Sequence, residues 1–286
     1  MQFRRADQKQ TGSQVRAERH RVWEPERGEG AACLLHHGAA SVCGLSSVSL
    51  TGTRRAQATM QTLLHRSWEN GERGTFPLVL YIHGGYWQFL SKEVSGFIAP
   101  PLVTQGIAMA AVGYDVAPKG HMDVMVAQVR RSVAFIVQQY SKTSGVYLCG
   151  HSAGAHLAAM VLSTDWEEYG VTPDIKGAFL VSGVYDLEPI THTSVNNLLH
   201  VSREVARRNS PVLCMTAATP ARKACEVLIA VAQHDSPEFH RQSREYFQAL
   251  RSAGWSVSLL DIADTDHFDV IEKLSQRGYI LTQVRG

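Results

Sequence analysis

A candidate nucleophile lies in the segment GVYLCGHSAGAHLAAM, in which residues 150–154 fit the pattern G-x-S-x-G around Ser152. The motif follows a short apolar run and precedes an amphipathic stretch, so it is expected at a turn from a buried strand into a helix. Glycines on both sides permit a sharp turn, which pushes the Ser152 hydroxyl out at the top of a sheet. The N-terminus of the following helix favours developing negative charge. The segment therefore predicts a serine nucleophile.

A serine hydroxyl is a weak nucleophile until a neighbouring base takes its proton. Asp235 directly follows the apolar run VLIAVA, and His267 lies in the loop IADTDHFDV after the run WSVSLLD. Both residues come after late predicted strands, in the chain order serine, acid, histidine. The spacing therefore predicts a catalytic triad of Ser152, Asp235 and His267.

Other polar side chains near these positions compete for the same roles. Asp186 also follows an apolar run but is interpreted as structural, and His234 is expected to point away from the site. His156, one turn into the helix after the motif, is interpreted as a packing residue, and His151 fills the variable position of the motif. Three aspartates near His267 are predicted to cap the last helix or shape its loop: Asp264, Asp266 and Asp269.

The segment YIHGGYWQF places two glycines and two aromatic residues directly after an early apolar run. Acyl transfer creates an oxyanion, which preorganised backbone N–H groups stabilise. The N–H groups of Gly84, Gly85 and Ala153 are predicted to supply that stabilisation, because glycines let the backbone approach the reacting carbonyl. Tyr86 and Trp87 then lie beside the acyl site, where they either stack on an aromatic substrate or pack the loop.

The elements that would position these residues alternate along the chain. Apolar runs at 77–82, 107–113, 145–150, 177–183, 227–232 and 255–261 predict strands, and amphipathic stretches at 122–140, 153–166 and 236–254 predict helices. Strands that alternate with helices indicate an α/β protein with a mostly parallel central sheet and helices on both faces. The less regular segment 186–225 is expected to cap the sheet.

Composition limits the possible classes of protein. The chain has 286 residues, a net charge of +2 and five scattered cysteines without a CxxC motif. These features argue against nucleic-acid binding, a disulfide framework and a metal site, and they favour the cytosol. No apolar stretch approaches the ~18 residues of a membrane span. Residues 1–50, rich in Arg, Glu, Gln, Gly and Ser, are predicted to be poorly ordered, and residues 51–286 to form the α/β domain.

The segments HGGYW, GHSAGAHLAAM, FLVSGVYDLEPI, DSPEFHRQS and DTDHFDVIE together resemble the kynurenine formamidase (arylformamidase) family of α/β-hydrolases. The resemblance implies hydrolysis of N-formyl-L-kynurenine to L-kynurenine and formate in tryptophan catabolism, by the triad and the HGGYW oxyanion loop. It implies no cofactor, a location in the cytosol and sometimes the nucleus, and often a homodimer. The family carries an edge hairpin before the HGGYW strand, and that hairpin is predicted to be missing here.

Two other functions are compatible with the same residues. A carboxylesterase of broad specificity has the same fold and would also cleave esters of longer acids. The fold can also be retained without catalysis, as an interaction module or a poorly active variant product.

Overall fold

The computed structural model describes residues 32–36, 48–49, 75–140, 143–215 and 224–283. Its centre is an eight-stranded sheet with the order β2-β1-β4-β3-β5-β6-β7-β8, in which the six strands from β4 to β8 along this order are parallel. The strands are β1 (Ala32–His36), β2 (Val48–Ser49), β3 (Phe76–Ile82), β4 (Ala108–Val112), β5 (Thr143–His151), β6 (Ile175–Val181), β7 (Glu226–Ala232) and β8 (Ser256–Ile262).

Helices follow most of the parallel strands. The α-helices are α1 (Ala99–Val103), α2 (Met122–Gln139), α3 (Ala153–Leu162), α4 (Asn196–Leu199), α5 (Arg203–Arg208), α6 (Pro237–Ser252), α7 (Asp269–Glu272) and α8 (Ile280–Gln283). Short 3-10 helices span Lys92–Ile98, Glu167–Tyr169, Pro189–His192 and Lys273–Ser275. The six parallel strands and the three long helices predicted from apolar spacing are confirmed, although α3 ends four residues before the predicted end at 166.

Two hydrophobic layers cover the sheet, one on each face. Along β3, Leu78, Leu80 and Ile82 join the layer that contains α2, α3 and α6, whereas Val79 and Tyr81 join the layer beneath α1, α7 and α8. This alternation is the period of two that a strand imposes on its side chains. Because both faces are covered, the parallel strands are almost wholly apolar.

Helix α3 is the most deeply buried helix of the layer that contains α2, α3 and α6. All ten of its residues are buried, in accordance with their small or apolar side chains. Helices α4 and α5, within the segment 186–225, add Leu199 and Ala206 to the same hydrophobic layer. The part of that segment that contains α4 and α5 therefore packs against this face of the sheet.

The edge of the sheet beside β4 differs from the prediction. Strand β1 pairs antiparallel with β4, with Cys33 opposite Val112 and His36 opposite Met109, and β2 pairs antiparallel with β1. The prediction of a missing edge hairpin is therefore wrong: an antiparallel pair occupies this edge and uses the outward backbone groups of β4. The two strands have five and two residues and no alternating pattern, so periodicity does not reveal them.

Both strands come from residues 1–50, the segment predicted to be poorly ordered. The rest of residues 1–74 lies outside the described residues. The predicted order of that segment and the domain boundary at residue 51 therefore stay predictions.

The topology brings the candidate site residues to one edge of the sheet. The carboxyl ends of β3, β5, β7 and β8 lead into the HGGYW loop, the Ser152 turn, the Asp235 loop and the His267 loop, respectively. Carboxyl ends of parallel strands meet at the same edge, which is where open α/β sheets form their sites.

Candidate active site

Ser152 lies at a strained turn between β5 and α3. Its φ of 56° and ψ of −119° lie outside the regions favoured by residues with a side chain. Steric contacts explain the neighbouring glycines: a Cβ on Gly150 would collide with the carbonyl of Gly154, and a Cβ on Gly154 would collide with the carbonyl of Ile82. The surrounding structure thus holds Ser152 in a conformation that aims its side chain at the top of the sheet.

The HGGYW loop packs directly against this turn. A Cβ on Gly84 would lie 2.7 Å from the carbonyl oxygen of His151 and 3.2 Å from Cβ of Ser152, so only glycine permits this approach. Gly85 has a φ of +91°, which glycine adopts without strain. Ala153 is the first residue of α3, where backbone N–H groups have no partner within the helix. Gly84 thus lies against Ser152, Ala153 follows it directly, and Gly85 lines the same cavity.

His267 and Asp235 form a close pair. Nδ1 of His267 donates to Oδ1 of Asp235 over 2.6 Å, and the Asp235 side chain is almost fully buried. Because the carboxylate only accepts, the proton of a neutral His267 lies on Nδ1 and leaves Nε2 as the acceptor. This is the tautomer that a general base for a serine requires.

The second carboxylate oxygen of Asp235 is also occupied. Oδ2 accepts from Oγ of Ser182 over 2.5 Å and from the backbone N–H of Ala232 over 3.0 Å. Burial raises the pKa of this carboxyl, but the hydrogen bonds from His267 and Ser182 outweigh burial and bring the pKa below its ordinary value. Asp235 is therefore held as a carboxylate with both oxygens bonded.

Ser152 and His267 line one cavity of about 550 Å³. Most of its walls are apolar or aromatic, and Gly84, Gly85 and Tyr86 of the HGGYW loop form part of them. Other large side chains in the lining are Tyr81, Leu90, Val94, Phe97, Phe268 and Ile271. A cavity lined by such side chains together with Ser152, His267 and the backbone of the HGGYW loop is suited to acyl transfer from a mainly apolar substrate.

Trp87 does not contact this cavity, so its predicted contact with substrate is wrong. Its side chain is 0% exposed, and Nε1–H donates to Nδ1 of His156 over 3.1 Å. The two rings are nearly perpendicular, with centroids 5.1 Å apart. Positive φ angles at Tyr86 (49°) and Trp87 (59°) turn the chain so that Trp87 enters the core. The alternative interpretation, that Trp87 packs the loop, is confirmed, as is His156 as a packing residue.

The substitution Trp87→Phe tests this assignment. We expect a loss of about 1–3 kcal/mol in the free energy of unfolding, because buried Nδ1 of His156 loses its donor. We expect KM to change less than twofold, because the ring does not reach the cavity. Urea unfolding and steady-state kinetics measure the two effects, with Tyr86→Phe as the control at a residue that lines the cavity. A raised KM with unchanged stability would contradict the assignment.

The competing residues take other roles. Asp186 accepts from the backbone N–H of Glu188, and His234 is exposed. Oδ1 of Asp266 accepts from the N–H groups of Phe268 and Asp269 at 2.8 Å each, so Asp266 shapes the loop that leads into α7, which is the second of its two predicted roles. Of the segment 186–225, the described residues 186–215 and 224–225 contribute nothing to the cavity lining.

Sequence reasoning missed two functional neighbours of the candidate triad. Ser182, at the carboxyl end of β6, has a φ of 47° and is fully buried against Asp235. A polar residue after a parallel strand is the signal that could have identified it. The sequence motif gives His151 only a variable position, but in the structure its Nε2 lies 2.7 Å from the carbonyl oxygen of His267.

Within the described ranges, no group of three His, Cys, Asp or Glu side chains could hold a metal ion. Within the same ranges, no helix has the length and apolar character needed to cross a bilayer. Cys149, Cys214 and Cys225 are free thiols.

Comparison with known proteins agrees with this geometry. Residues 79–269 match the model of a family with the alpha/beta hydrolase fold. The chain is 54% identical to a kynurenine formamidase of Danio rerio, over 82% of this chain and 84% of that protein. It is 32% identical to a kynurenine formamidase of Drosophila melanogaster, over 69% and 68% of the two chains. The crystal structure of an esterase of Pyrobaculum calidifontis covers 71% of this chain and 72% of its own, with a TM-score of 0.59 and 18% identity. The chain therefore has the predicted α/β-hydrolase fold and belongs to the kynurenine formamidase family.

Proposed function

We propose that this chain is an arylformamidase that hydrolyses N-formyl-L-kynurenine to L-kynurenine and formate. Ser152 is the proposed nucleophile, His267 the base and Asp235 the acid that orients it. The observation that carries the proposal is the 2.6 Å hydrogen bond between His267 and Asp235, at a cavity that both His267 and Ser152 line. Membership of the kynurenine formamidase family supports N-formyl-L-kynurenine as the substrate.

The proposed reaction proceeds in two steps. Oγ of Ser152 attacks the formyl carbon while Nε2 of His267 takes the hydroxyl proton. Backbone N–H groups of Gly84, Gly85 and Ala153 stabilise the oxyanion. His267 then donates its proton to the aryl nitrogen, and the C–N bond breaks. In the second step a water gives a proton to His267 and attacks the formyl-serine ester. His267 then donates that proton to Oγ of Ser152 as the ester C–O bond breaks, which restores Ser152 and releases formic acid, which ionises to formate.

The cavity walls support an aromatic leaving group. Tyr86 and Phe268 lie in the lining, and the side chain of Phe268 is 66% exposed. Burial raises the pKa of Tyr86, so its hydroxyl stays neutral. An aryl ring gains stacking and burial against such side chains. No cofactor enters the proposed reaction, and the partner is a small aromatic formamide.

Hydrolysis of N-formyl-L-kynurenine by the purified chain tests the proposal. We expect this substrate to exceed N-acetyl-kynurenine and p-nitrophenyl butyrate in kcat/KM. An extra methylene in the acyl group changes the discrimination between two substrates by only about 1–3 kcal/mol. Some cleavage of the p-nitrophenyl ester is therefore expected as well. A preference for the butyrate ester would support the carboxylesterase alternative. A folded chain that neither hydrolyses these substrates nor reacts with a fluorophosphonate would support a non-catalytic role.

The cavity also predicts a contact with the amino-acid end of the substrate. Among the described residues of its lining, Glu272 is the one carboxylate, and it is exposed at the cavity. An ammonium group paired with an exposed carboxylate gains up to about 1 kcal/mol. We therefore expect Glu272→Gln to raise KM for N-formyl-L-kynurenine about two- to fivefold and to leave kcat almost unchanged.

Two controls accompany this substitution. Formanilide lacks the ammonium group, so its KM is expected to be the same for the wild type and Glu272→Gln. Glu168→Gln removes an exposed carboxylate from the 3-10 helix Glu167–Tyr169, which does not line the cavity, and is expected to leave both KM values unchanged. An equal rise in KM for both substrates would show that Glu272 does not recognise the ammonium group.

The family resemblance further supports a location in the cytosol, with the nucleus as a second compartment, and a homodimer. Light scattering of the purified chain and imaging of a tagged chain in cells test these two proposals. A monomeric mass or a secreted product would contradict them.

A further inference from the structure

We propose that His151 is a positioning residue that ties the nucleophile turn to the loop of the catalytic base; this inference rests on the proposed roles of Ser152 and His267. His151 directly precedes Ser152, and its Nε2 lies 2.7 Å from the carbonyl oxygen of His267. The two imidazole rings lie with centroids 4.7 Å apart. One side chain therefore links the backbone that carries the nucleophile to the backbone that carries the base.

The partner of His151 determines its tautomer. A carbonyl oxygen can only accept, so Nε2 of His151 carries the proton and donates it to His267. Burial, and after it the neighbouring His267, lower the pKa of His151 to about 3. His151 is therefore neutral at physiological pH. This neutrality suits the proposed reaction, because His267 becomes a cation beside it and a second cation would oppose that step.

The bond from His151 adds a restraint at His267 itself to those that other residues of this loop make. His267 lies between β8 and α7, in a segment of which Asp264 and Asp266 are exposed. Its ring is fixed by Asp235 on one side, and the ring of Phe239 lies with its centroid 4.6 Å away. The bond from His151 holds the backbone of the same residue. Two hydrogen bonds, one to the ring and one to the carbonyl, together set the position of Nε2 of His267.

His151 also borders the HGGYW loop. A Cβ on Gly84 would lie 3.3 Å from Nδ1 of His151, so the ring fills the space between that loop and the His267 loop. The ring lines the cavity together with Ser152 and His267. A residue that only filled volume would not need a donor at Nε2, and this difference makes the inference testable.

Three substitutions distinguish the effect of the Nε2 hydrogen-bond donor of His151 from the effect of its side-chain volume. His151→Gln keeps an amide N–H at a reach similar to Nε2, His151→Asn carries the same amide on a side chain too short to reach His267, and His151→Leu has no donor. We measure kcat and KM for N-formyl-L-kynurenine, the rate constant of Ser152 labelling by a fluorophosphonate, and the melting temperature of each variant.

The expected rates of the His151 variants depend on how far His267, the proposed base, moves from its position. An error of about 1 Å in a catalytic group can lower the rate about 100-fold. We expect His151→Asn and His151→Leu to lower kcat and the labelling rate constant about 10- to 100-fold, with KM changed less than twofold. We expect His151→Gln to restore both rates to within about threefold of the wild type.

Several results would overturn the proposal. Equal rates for the Gln and Asn variants, or a lowered melting temperature with unchanged rates, would show that His151 only packs. If His151→Leu does not fold, the comparison of His151→Gln with His151→Asn still shows whether the donor at this position matters. Labelling does not depend on the formamide, so a wild type that labels but does not hydrolyse N-formyl-L-kynurenine would refute the proposed function. The labelling rates would still test His151.

Discussion

The substitution Ser152→Ala is expected to lower kcat for N-formyl-L-kynurenine by about 10⁶-fold, the effect that removal of the nucleophile has in a serine protease triad. Without Oγ no acyl-enzyme forms, and His267 has no hydroxyl to deprotonate. The fold should persist, because Ser152 makes no capping hydrogen bond through its side chain to α3 and alanine is smaller. The strained φ of 56° is imposed on either residue by the turn.

Product formation over long incubations, together with fluorophosphonate labelling, measures this loss. The variant should neither turn over nor label, and its melting temperature should stay near that of the wild type. Ser252→Ala, at an exposed serine that ends α6, is the matched control and should keep full activity. Residual activity above about 1% in a sample free of wild type would show that another group attacks the formyl carbon.

The substitution Asp235→Asn is expected to lower kcat by about 10⁴-fold, as the same change does in a serine protease triad. The reason lies in the donors around Oδ2. Ser182 Oγ and the Ala232 N–H both donate to that side of the group, so an asparagine would turn its oxygen toward them. Its NH₂ group would then face Nδ1 of His267, which must become the acceptor. The proton would move to Nε2, and His267 could no longer take a proton from Ser152.

The kcat of Asp235→Asn and the labelling rate of Ser152 should fall together, whereas KM should change little. Asp186→Asn is the matched control, because Asp186 also follows a strand and its carboxylate accepts from Glu188. That variant should keep kcat within about threefold of the wild type. A larger loss of kcat from Asp186→Asn than from Asp235→Asn would show that Asp186, and not Asp235, is the acid of the triad.

The sequence by itself determined the parallel strands and the three long helices, and it predicted the candidate triad of Ser152, Asp235 and His267. Parallel strands buried on both faces are nearly continuous apolar runs, so β3 to β8 are visible without knowledge of their neighbours. The G-x-S-x-G pattern has a local steric cause, since Gly150 and Gly154 are required by contacts within and beside the turn itself. The carboxyl ends of β7 and β8 then indicated Asp235 and His267, and the structure places these two side chains 2.6 Å apart.

The tertiary structure alone decided which side chains face the cavity. Trp87 and Tyr86 are adjacent in the sequence, yet one enters the core and the other lines the cavity, because the backbone turns with positive φ at both residues. Ser182 and His151 form hydrogen bonds with partners that are distant in the chain: Asp235 for Ser182, and the His267 carbonyl for His151. Likewise β1 and β2 are strands because β4 offers an open edge, since short strands gain most of their stability from pairing. Local pattern specifies an element, whereas the partner of a polar side chain depends on contacts that only the folded chain creates.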